Sequence, residues 1–295
     1  MVNASIILPT FDRNQALSHC LQALERQNYP RESFEVIVVN DGGNQDAVNK
    51  VVQETSLNTR VIHQPQNRGP AAARNTGVLH SKGTFLIFTD DDCCPSPEWV
   101  SAAVKHLSGH QIAITGPVIN GLEENPFSSA SQGLVNFLYQ YHRKDQWVDF
   151  ITSNNFGITR KELESVGGFD EAFPKAAAED RDLCERLLSK GRRIQYCDEM
   201  RVSHFHDLKL RSFFSQHYQY GRGAFLFHSR RSERKQKSES GGGSLHLTLS
   251  ILFHQNEKTN LRDKSTYQSL IFLSQVANVM GRTTATIENL RKRLV

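Results

Sequence analysis

The sequence predicts an α/β fold with a mostly parallel central sheet covered by helices on both faces, followed by a C-terminal helical extension. Strand-like and helix-like patterns alternate in the first part of the chain, and the strand-like runs are almost continuously apolar. Such strands are typical of parallel sheets that are buried on both faces. The 295 residues are 38% hydrophobic and 22% charged, as in a folded globular protein with a sizeable core. Residues 1–115 and 116–209 are expected to form two halves of one α/β domain, and residues 210–295 the extension.

Four short apolar runs predict the strands of the first half. They cover residues 5–8, 34–39, 60–63 and 85–88. Pro9 is expected to end the first strand, because proline lacks the N–H that a sheet needs. The spacing of leucines predicts a helix over residues 14–27. Another helix is expected to begin at Pro70, since proline is favoured at the first helical position.

Polar clusters follow three of these strands, at the point where each strand ends. They are residues 9–12, 40–43 and 90–92, with the sequences Pro-Thr-Phe-Asp, Asn-Asp-Gly-Gly and Asp-Asp-Asp. In open parallel sheets, ligands bind outside the carboxyl ends of the strands. The three clusters are therefore expected to face one crevice.

The consecutive aspartates Asp90, Asp91 and Asp92 are the most informative of these clusters. Crowded carboxylates repel one another unless a cation neutralises them. Oxygen ligands of this kind suit Mg²⁺ or Mn²⁺, which proteins often share with substrate phosphates. The alternative is an acidic turn, because aspartate is also common in turns.

The second half and the extension carry fewer signals. Residues 178–182 are expected to begin a helix, and their acidic side chains also suit a helix N-terminus. A strand is predicted over residues 192–197. Residues 210–227 predict an amphipathic helix rich in aromatic side chains, and the end of the chain is also expected to be helical. A flexible loop is expected near residues 235–244, which include a Gly- and Ser-rich run.

Charge and composition argue against several classes of protein. The net charge of +4 is too small to indicate nucleic-acid binding. Five cysteines without paired spacing do not predict a disulfide framework or a zinc site. No secretory leader is expected, and residues 245–253 and 270–280 are too short or too polar to span a bilayer. A cytoplasmic protein is expected, whose late basic clusters either touch the inner face of the cell membrane or form a solvated surface.

Six ordered segments resemble the family-two glycosyltransferases, whose catalytic domain has the GT-A nucleotide-diphospho-sugar transferase fold. The segments are residues 5–11, 38–43, 67–75, 88–92, 167–171 and 179–183. The resemblance implies a metal-dependent transfer of a sugar, with inversion, from a nucleoside-diphosphate donor to an acceptor hydroxyl in glycan, polysaccharide or glycolipid synthesis. A UDP-sugar is the typical donor. Residues 1–115 would bind the nucleotide sugar, and residues 116–209 would bind the acceptor and supply the catalytic base.

The resemblance also implies roles for residues around the donor. Asp41 would accept a hydrogen bond from the nucleobase, and Pro9, Thr10 and Phe11 would form the rest of the base pocket. An Asp-Gly turn is the alternative for Asp41. Arg74 would lie along the donor near the diphosphate, and a surface salt bridge is its alternative.

In the acidic motif, the resemblance implies that Asp92 is the closest metal ligand and that Asp90 is a further one. Asp90 or Asp91 would reach the ribose or a metal-bound water. His204 would supply a further ligand to Mn²⁺ or Mg²⁺, and His206 is its neighbour on the same face if that segment is extended. Either histidine could instead face solvent or cap a helix.

The catalytic base implied by the resemblance is Asp180. It would take the proton of the acceptor hydroxyl, on the side of the sugar opposite the leaving diphosphate. Glu179 is the second catalytic candidate and could instead bind acceptor hydroxyls, whereas Asp182 is expected to be structural.

Two departures from the family pattern and two rival functions are relevant. Asn40 replaces an aspartate that is common in the family, and residues 216–223 do not match the Gln-x-x-Arg-Trp motif of members that make long polymers, which argues against a processive synthase. One rival is a sugar-nucleotide nucleotidyltransferase, although residues 9–13 are not the Gly-rich loop of such enzymes. The other is a non-catalytic sugar-nucleotide-binding protein.

The acceptor is a glycan, a lipid-linked sugar or another hydroxyl compound, and the sequence leaves the choice open. Aromatic and basic side chains between residues 205 and 234 would line an acceptor cleft, rest on a membrane surface, or pack a helix against the catalytic domain.

Overall fold

The computed structural model describes residues 2–109, 113–235 and 264–293. The strands are β1 (Ala4–Thr10), β2 (Phe34–Asn40), β3 (Thr59–His63), β4 (Phe85–Thr89), β5 (Cys93–Pro95), β6 (Ala113–Thr115), β7 (Val118–Asn120), β8 (Arg143–Lys144), β9 (Trp147–Val148), β10 (Asn155–Thr159), β11 (Ile194–Tyr196) and β12 (Val202–His204). The helices are α1 (Asn14–Glu25), α2 (Gln45–Gln53), α3 (Pro70–Leu79), α4 (Trp99–Gly109), α5 (Pro126–His142), α6 (Arg160–Ser165), α7 (Glu179–Ser189), α8 (Leu210–Lys235) and α9 (Lys264–Arg293). The loop predicted near residues 235–244 lies almost wholly outside the described residues.

A nine-stranded sheet forms the centre of the molecule, in the order β3-β2-β1-β4-β10-β6-β11-β9-β8. The first four strands of this order are parallel, whereas β10 is antiparallel to both of its neighbours. Strands β6 and β11 are parallel to each other, and β9 runs against β11. The prediction of a mostly parallel sheet is confirmed, with β9 and β10 as the reversed strands.

Helices cover both faces of this sheet, and alternate residues of one strand pack on opposite sides. Ile6 and Leu8 pack in a core with side chains of α1, α2 and α4. Ile7 lies in a second core with side chains of α3, α6 and α7. Since successive side chains of a strand point to opposite faces, the continuous apolar runs correspond to strands buried on both faces. The five cysteines are free.

The first strand extends further than the sequence predicts. It includes Pro9 and ends at Thr10, because β1 continues to pair with β2 through that residue. Its pairing with β4 ends at Ile7. Beyond Ile7 the strand has a single neighbour and tolerates a residue without an N–H, so the prediction that Pro9 ends the strand is wrong.

Helices α8 and α9 form the C-terminal extension and cross at very short range. A Cβ added to Gly221 would collide with the carbonyl oxygen of Asn278, and one added to Gly281 would collide with that of Tyr218. The extension also touches the α/β domain closely, since a Cβ at Gly223 would collide with Ala177. Glycine thus permits backbone contact at each of these points.

A smaller sheet, β5-β12-β7, lies beside the central one and carries His204. Among the described residues, no helix is both long enough and apolar enough to cross a lipid bilayer.

Candidate active site

A cavity of 390 Å³ lies between the carboxyl ends of the central strands and the C-terminal helices. Its lining includes Arg13, Arg74, Asp90, Asp92, Asn154, Glu179, Asp180, His204, His206, Gln216, Tyr220 and Asn278. Most of the catalytic and metal-binding candidates from the sequence therefore meet in one place, although they come from distant parts of the chain.

The three consecutive aspartates point to different partners. Asp90 accepts a hydrogen bond from Arg74 at 2.7 Å. Asp91 is buried and accepts hydrogen bonds from the Thr10 hydroxyl at 2.7 Å and from Arg13 at 3.2 Å. Asp91 is not among the residues that line the cavity, so its carboxylate supports the ends of β1 and β4 instead of facing a ligand. Burial raises the pKa of Asp91 to about 7, although the charge of Arg13 opposes that shift.

Asp92 and His204 form the pair best placed for a cation. His204 lies opposite Cys93 where β12 pairs with β5, so its ring comes beside the preceding residue. The distance from His204 Nε2 to an Asp92 carboxylate oxygen is 3.4 Å. Burial alone would raise the pKa of Asp92, but the hydrogen bond and charge of His204 and the charge of Arg13 hold it below its usual range.

Neighbouring groups complete this part of the cavity. The ring of His206 stacks on that of His204 at 4.7 Å between centroids, although β12 ends at His204. Burial lowers the pKa of His206 to about 4, which keeps it neutral. One ligand atom each of Asp92, Cys93 and His204 lie within 4.8 Å of one another. Carboxylate oxygen and imidazole nitrogen suit Mn²⁺ and Mg²⁺ better than the buried thiol does, so Asp92 and His204 fit the predicted cation.

Arg74 of α3 contacts both the acidic motif and the start of α7, and it is only 2% exposed. Its guanidinium bonds Asp90 at 2.7 Å and Glu179 at 3.0 Å. The alternative of a surface salt bridge is therefore wrong for Arg74. The other oxygen of Glu179 accepts the N–H of Ala177 at 2.8 Å, so both of its carboxylate oxygens are already bonded to protein groups.

Asp180 lies one residue into α7, on the cavity wall. Ala178 precedes the helix with a φ of 72°, a left-handed conformation that residues with a Cβ rarely adopt. The Asp180 carboxylate accepts the N–H of Arg181 at 2.7 Å and that of Ser153 at 3.4 Å. Burial raises the pKa of Asp180. A raised pKa makes a carboxylate a better proton acceptor. The structural role expected of Asp182 agrees with its ion pairs to Arg186 and Arg234, at 2.8 and 2.6 Å.

The residues predicted to hold the nucleobase lie at the ends of β1 and β2. The Asp41 N–H donates to the carbonyl of Thr10 at 2.9 Å, which joins the two ends. The carboxylate of Asp41 accepts the N–H groups of Arg68 at 2.7 Å and Gly69 at 2.8 Å, just before α3. Phe11 is exposed beside this point, whereas Pro9 and Thr10 are buried.

The turn after β2 requires glycine at position 42 and is held by the amide of Asn40. Gly42 has a φ of 84°, and a Cβ there would collide with the backbone of Gln66 and Asn67. Asn40 is buried, and its amide exchanges hydrogen bonds of 2.9 Å with the backbone of Gly43. The amide that replaces the family's common aspartate thus holds the turn together.

Arg13 and the last helix contribute to the cavity lining, and neither contribution was predicted from the sequence. The Arg13 guanidinium pairs with Asp91 at 2.5 Å and with Asp92 at 2.6 Å, so it neutralises part of the acidic cluster. Its position four residues after Pro9, at the end of a strand, is the signal that could have identified it. Asn278 of α9 lies in a segment without a motif, and only folding brings it to the cavity.

Comparison with known proteins shows the family and the fold to which the chain is similar. The family model described as "Glycosyl transferase family 2" matches residues 5–167. The pre-mycofactocin glycosyltransferase of Mycobacterium tuberculosis is 26% identical over 249 residues, which are 82% of this chain and 51% of that protein. Glycosyltransferase AglE of Haloferax volcanii is 34% identical over 174 residues, 56% of this chain and 55% of its own. The chain thus spans about half the length of these curated relatives.

Solved structures share the architecture. The mannosyltransferase PcManGT from Pyrobaculum calidifontis has a TM-score of 0.62 at 17% identity, over 97% of this chain and 73% of its own. A fragment of S. aureus TarS (1–349) has a TM-score of 0.55 at 16% identity, over 99% of this chain and 92% of its own. These likenesses establish the GT-A fold that the sequence predicts. Because the family model covers more than half of the chain, this protein belongs to glycosyl transferase family 2.

Proposed function

We propose that this glycosyltransferase moves a sugar from a nucleoside-diphosphate donor to an acceptor hydroxyl in one inverting displacement that depends on a divalent cation. The observation that carries the proposal is that one cavity is lined both by the Asp92–His204 pair and by Asp180 at the start of α7. An inverting transfer needs these two functions on opposite sides of the reacting carbon, one for the leaving group and one for the nucleophile.

The nucleotide would lie along the ends of β1 and β2, with its base beside Asp41 and Phe11. Bound at Asp92 and His204, with Asp90 nearby, Mn²⁺ or Mg²⁺ would neutralise the negative charge that develops on the leaving diphosphate. PcManGT was solved with GDP-Man and Mn²⁺, which supports both the donor class and the cation. A UDP-sugar is the donor that we propose for this chain, from the family resemblance.

The Arg74 side chain would hold the acidic motif in place and add positive charge beside the diphosphate. Its two ion pairs fix the guanidinium between Asp90 and Glu179. Since Glu179 forms a buried ion pair with Arg74 at 3.0 Å, whereas Asp180 forms no ion pair among the described residues, we assign Glu179 to positioning Arg74 and the proton transfer to Asp180.

Deprotonated Asp180 would accept the proton of the acceptor hydroxyl as its oxygen attacks the anomeric carbon. The raised pKa of Asp180, caused by burial, makes this carboxylate a stronger base than an exposed aspartate. In the same step, the acceptor oxygen bonds to the anomeric carbon and the bond between this carbon and the nucleoside diphosphate breaks.

Orphaned polar atoms in the cavity support a hydroxyl-rich ligand. Asn154 Oδ1 and Gln216 Oε1 are buried without a hydrogen-bond partner among the described residues. Both residues line the cavity, and buried acceptors without partners are costly. Hydroxyl groups of a sugar would supply the missing donors.

A panel of labelled nucleotide sugars tests the proposal. Incubation with Mn²⁺ or Mg²⁺ should release nucleoside diphosphate from one donor, slowly to water and faster with the acceptor. Treatment with EDTA should abolish this release, and added Mn²⁺ should restore it. Formation of pyrophosphate would indicate a nucleotidyltransferase instead, and donor binding without turnover would indicate a non-catalytic binding protein. Full activity in EDTA would contradict the proposed role of the cation.

A further inference from the structure

Helix α9 exposes a set of apolar side chains on one face that no described part of the molecule covers. Its large apolar side chains with substantial exposure are Phe272, Val276, Val279, Met280, Ile287 and Leu290, between 36% and 62% exposed. At 3.6 residues per turn, these six positions fall within an arc of about 100° around the helix axis. We call these six residues the α9 stripe.

The opposite face of α9 is already used for folding. Tyr267 and Ile271 are buried in a cluster with residues of α5 and α8, and Ala277 is fully buried. Gly281 touches the backbone of α8. The helix therefore has one apolar face that packs against the protein and a second one, the stripe, that faces outward. A helix with apolar side chains on both faces is typical of one that contacts something on each side.

The charges next to the stripe have one sign. Lys264 and Arg282 are exposed on α9 about 60° beyond one edge of the apolar arc, and Arg291 is exposed about 20° beyond the other. The sequence of α9 contains one acidic residue, Glu288, which lies on the inner side and pairs with Arg222 at 2.7 Å. Thr283, which lies within the arc, and Thr286, which lies at its edge, are uncharged. An apolar face with basic edges matches the surface of an anionic lipid bilayer.

We propose that the α9 stripe is a lipid-binding surface that holds this enzyme on an anionic membrane. The apolar side chains would enter the boundary between headgroups and acyl chains, and the basic residues would contact anionic headgroups. A second copy of the chain is a less suitable partner for the stripe. A stable protein interface needs about 800 Å² on each partner, whereas the stripe consists of six side chains on one helix. Pairing two stripes would also bring like charges such as the Arg282 guanidinium groups together.

Membrane attachment through α9 has a consequence for the cavity. Asn278 on the same helix lines the cavity, so a bilayer at the stripe lies one helix diameter from the site. An acceptor with a lipid anchor would then reach the cavity from the membrane surface. Vesicle binding needs neither donor nor cation, so this inference is independent of the chemistry proposed above.

Co-sedimentation of the full chain with vesicles tests the inference. The protein should sediment with vesicles of phosphatidylcholine and phosphatidylglycerol, should stay largely in solution with phosphatidylcholine alone, and should be released by high salt. The double variant Phe272→Gln/Val279→Gln should bind the anionic vesicles roughly tenfold more weakly, because it removes apolar side chains from the centre of the stripe. The double variant Arg282→Gln/Arg291→Gln should lose the preference for anionic lipid.

Leu79→Gln provides the matched control, since Leu79 is an exposed leucine on α3 with 79% exposure and lies outside the stripe. It should bind vesicles as the unmodified chain does. The inference is overturned if the unmodified chain ignores anionic vesicles, or if the Phe272→Gln/Val279→Gln variant binds them equally well. It is also overturned if light scattering shows a dimer that this variant dissociates, because the stripe would then bind a second copy.

Discussion

The three aspartate side chains of the acidic motif have different surroundings. Asp91 is buried beneath the ends of the strands, Asp90 is held by Arg74, and Asp92 faces the cavity beside His204. Three adjacent residues can differ in this way because the backbone turns directly after β4. Adjacent carboxylates thus include one that is buried at the strand ends and one that faces the cavity.

Replacing Asp180 by asparagine tests the base at this scale. The variant should keep donor affinity but lose about 10²- to 10⁴-fold in kcat, because an amide cannot take the acceptor proton. The acidic limb of the unmodified enzyme's pH–rate profile should lie above the usual range for aspartate, since burial raises the pKa of Asp180. Steady-state kinetics and calorimetric titration with donor give both numbers. Asp198→Asn, at an exposed aspartate outside the cavity, is the control. An Asp180→Asn enzyme with normal kcat would assign the base elsewhere.

Arg13→Gln tests whether the guanidinium and a divalent cation compete for Asp92. Arg13 pairs with Asp92 at 2.6 Å, so its removal should tighten Mn²⁺ binding roughly tenfold, about 1.4 kcal/mol. Isothermal titration calorimetry without donor measures the affinity. Arg60→Gln removes a similarly exposed arginine that pairs with Glu35 instead, and should leave Mn²⁺ affinity unchanged. Equal or weaker Mn²⁺ binding by Arg13→Gln would contradict competition.

At the scale of secondary structure, the close crossing of α8 and α9 shapes one wall of the cavity. Gln216 and Tyr220 of α8 and Asn278 of α9 line it, and the glycines at the crossing set how closely the helices approach. For the helix predicted from aromatic residues, the packing alternative is confirmed. The helix packs on the domain through Phe213 and lines the cavity through Tyr220.

Gly221→Ala tests this crossing. The new Cβ would collide with the carbonyl oxygen of Asn278, so the helices must separate, at a cost of about 1–3 kcal/mol in the free energy of unfolding. Activity should fall as well, because Gln216 and Tyr220 would shift. Urea denaturation gives the stability change. Gly109→Ala is the control, since a Cβ at Gly109 meets no atom of the described residues within 4 Å. Unchanged stability in Gly221→Ala would show that the contact is not as tight as described.

Across the whole molecule, the buried guanidinium of Arg74 joins α3 to the segment after β4 and to α7 through two ion pairs. One guanidinium serves two carboxylates, and burial with the nearby charge of Asp180 raises the pKa of Glu179 to about 7 despite Arg74. A carboxyl group whose pKa is higher in the folded than in the unfolded state binds protons preferentially when folded. Its stabilising contribution is present below its unfolded pKa of 4.5 and disappears as the pH rises through about 7.

The free energy of unfolding should therefore decrease between about pH 5 and pH 8 in metal-free buffer. Glu179→Gln should flatten this decrease, because glutamine retains a polar contact with Arg74 but does not titrate. Urea denaturation at several pH values measures both slopes. Glu164→Gln, at an exposed residue of α6, should keep the original slope. A Glu179→Gln protein with the same pH dependence would exclude Glu179 as its source.

Much of the fold follows from local pattern. Apolar runs located β1 to β4 within one or two residues, because strands buried on both faces need apolar side chains at consecutive positions. Pro70 marked the first residue of α3, and the helix that contains Asp180 begins within a residue of its predicted start. The reversed strand β10 was not predicted, since strand direction depends on the path of the connections and leaves no periodic signal.

The sequence by itself determined the α/β class and the family to which the chain belongs, because these depend on residue order along short segments. Only the tertiary structure decided which carboxylates face the cavity, that Arg74 is buried between Asp90 and Glu179, and that Arg13 neutralises Asp92. Such pairs join residues as many as 105 positions apart. Their partners are chosen by packing and by the cost of burying an unpaired charge, which no local pattern records.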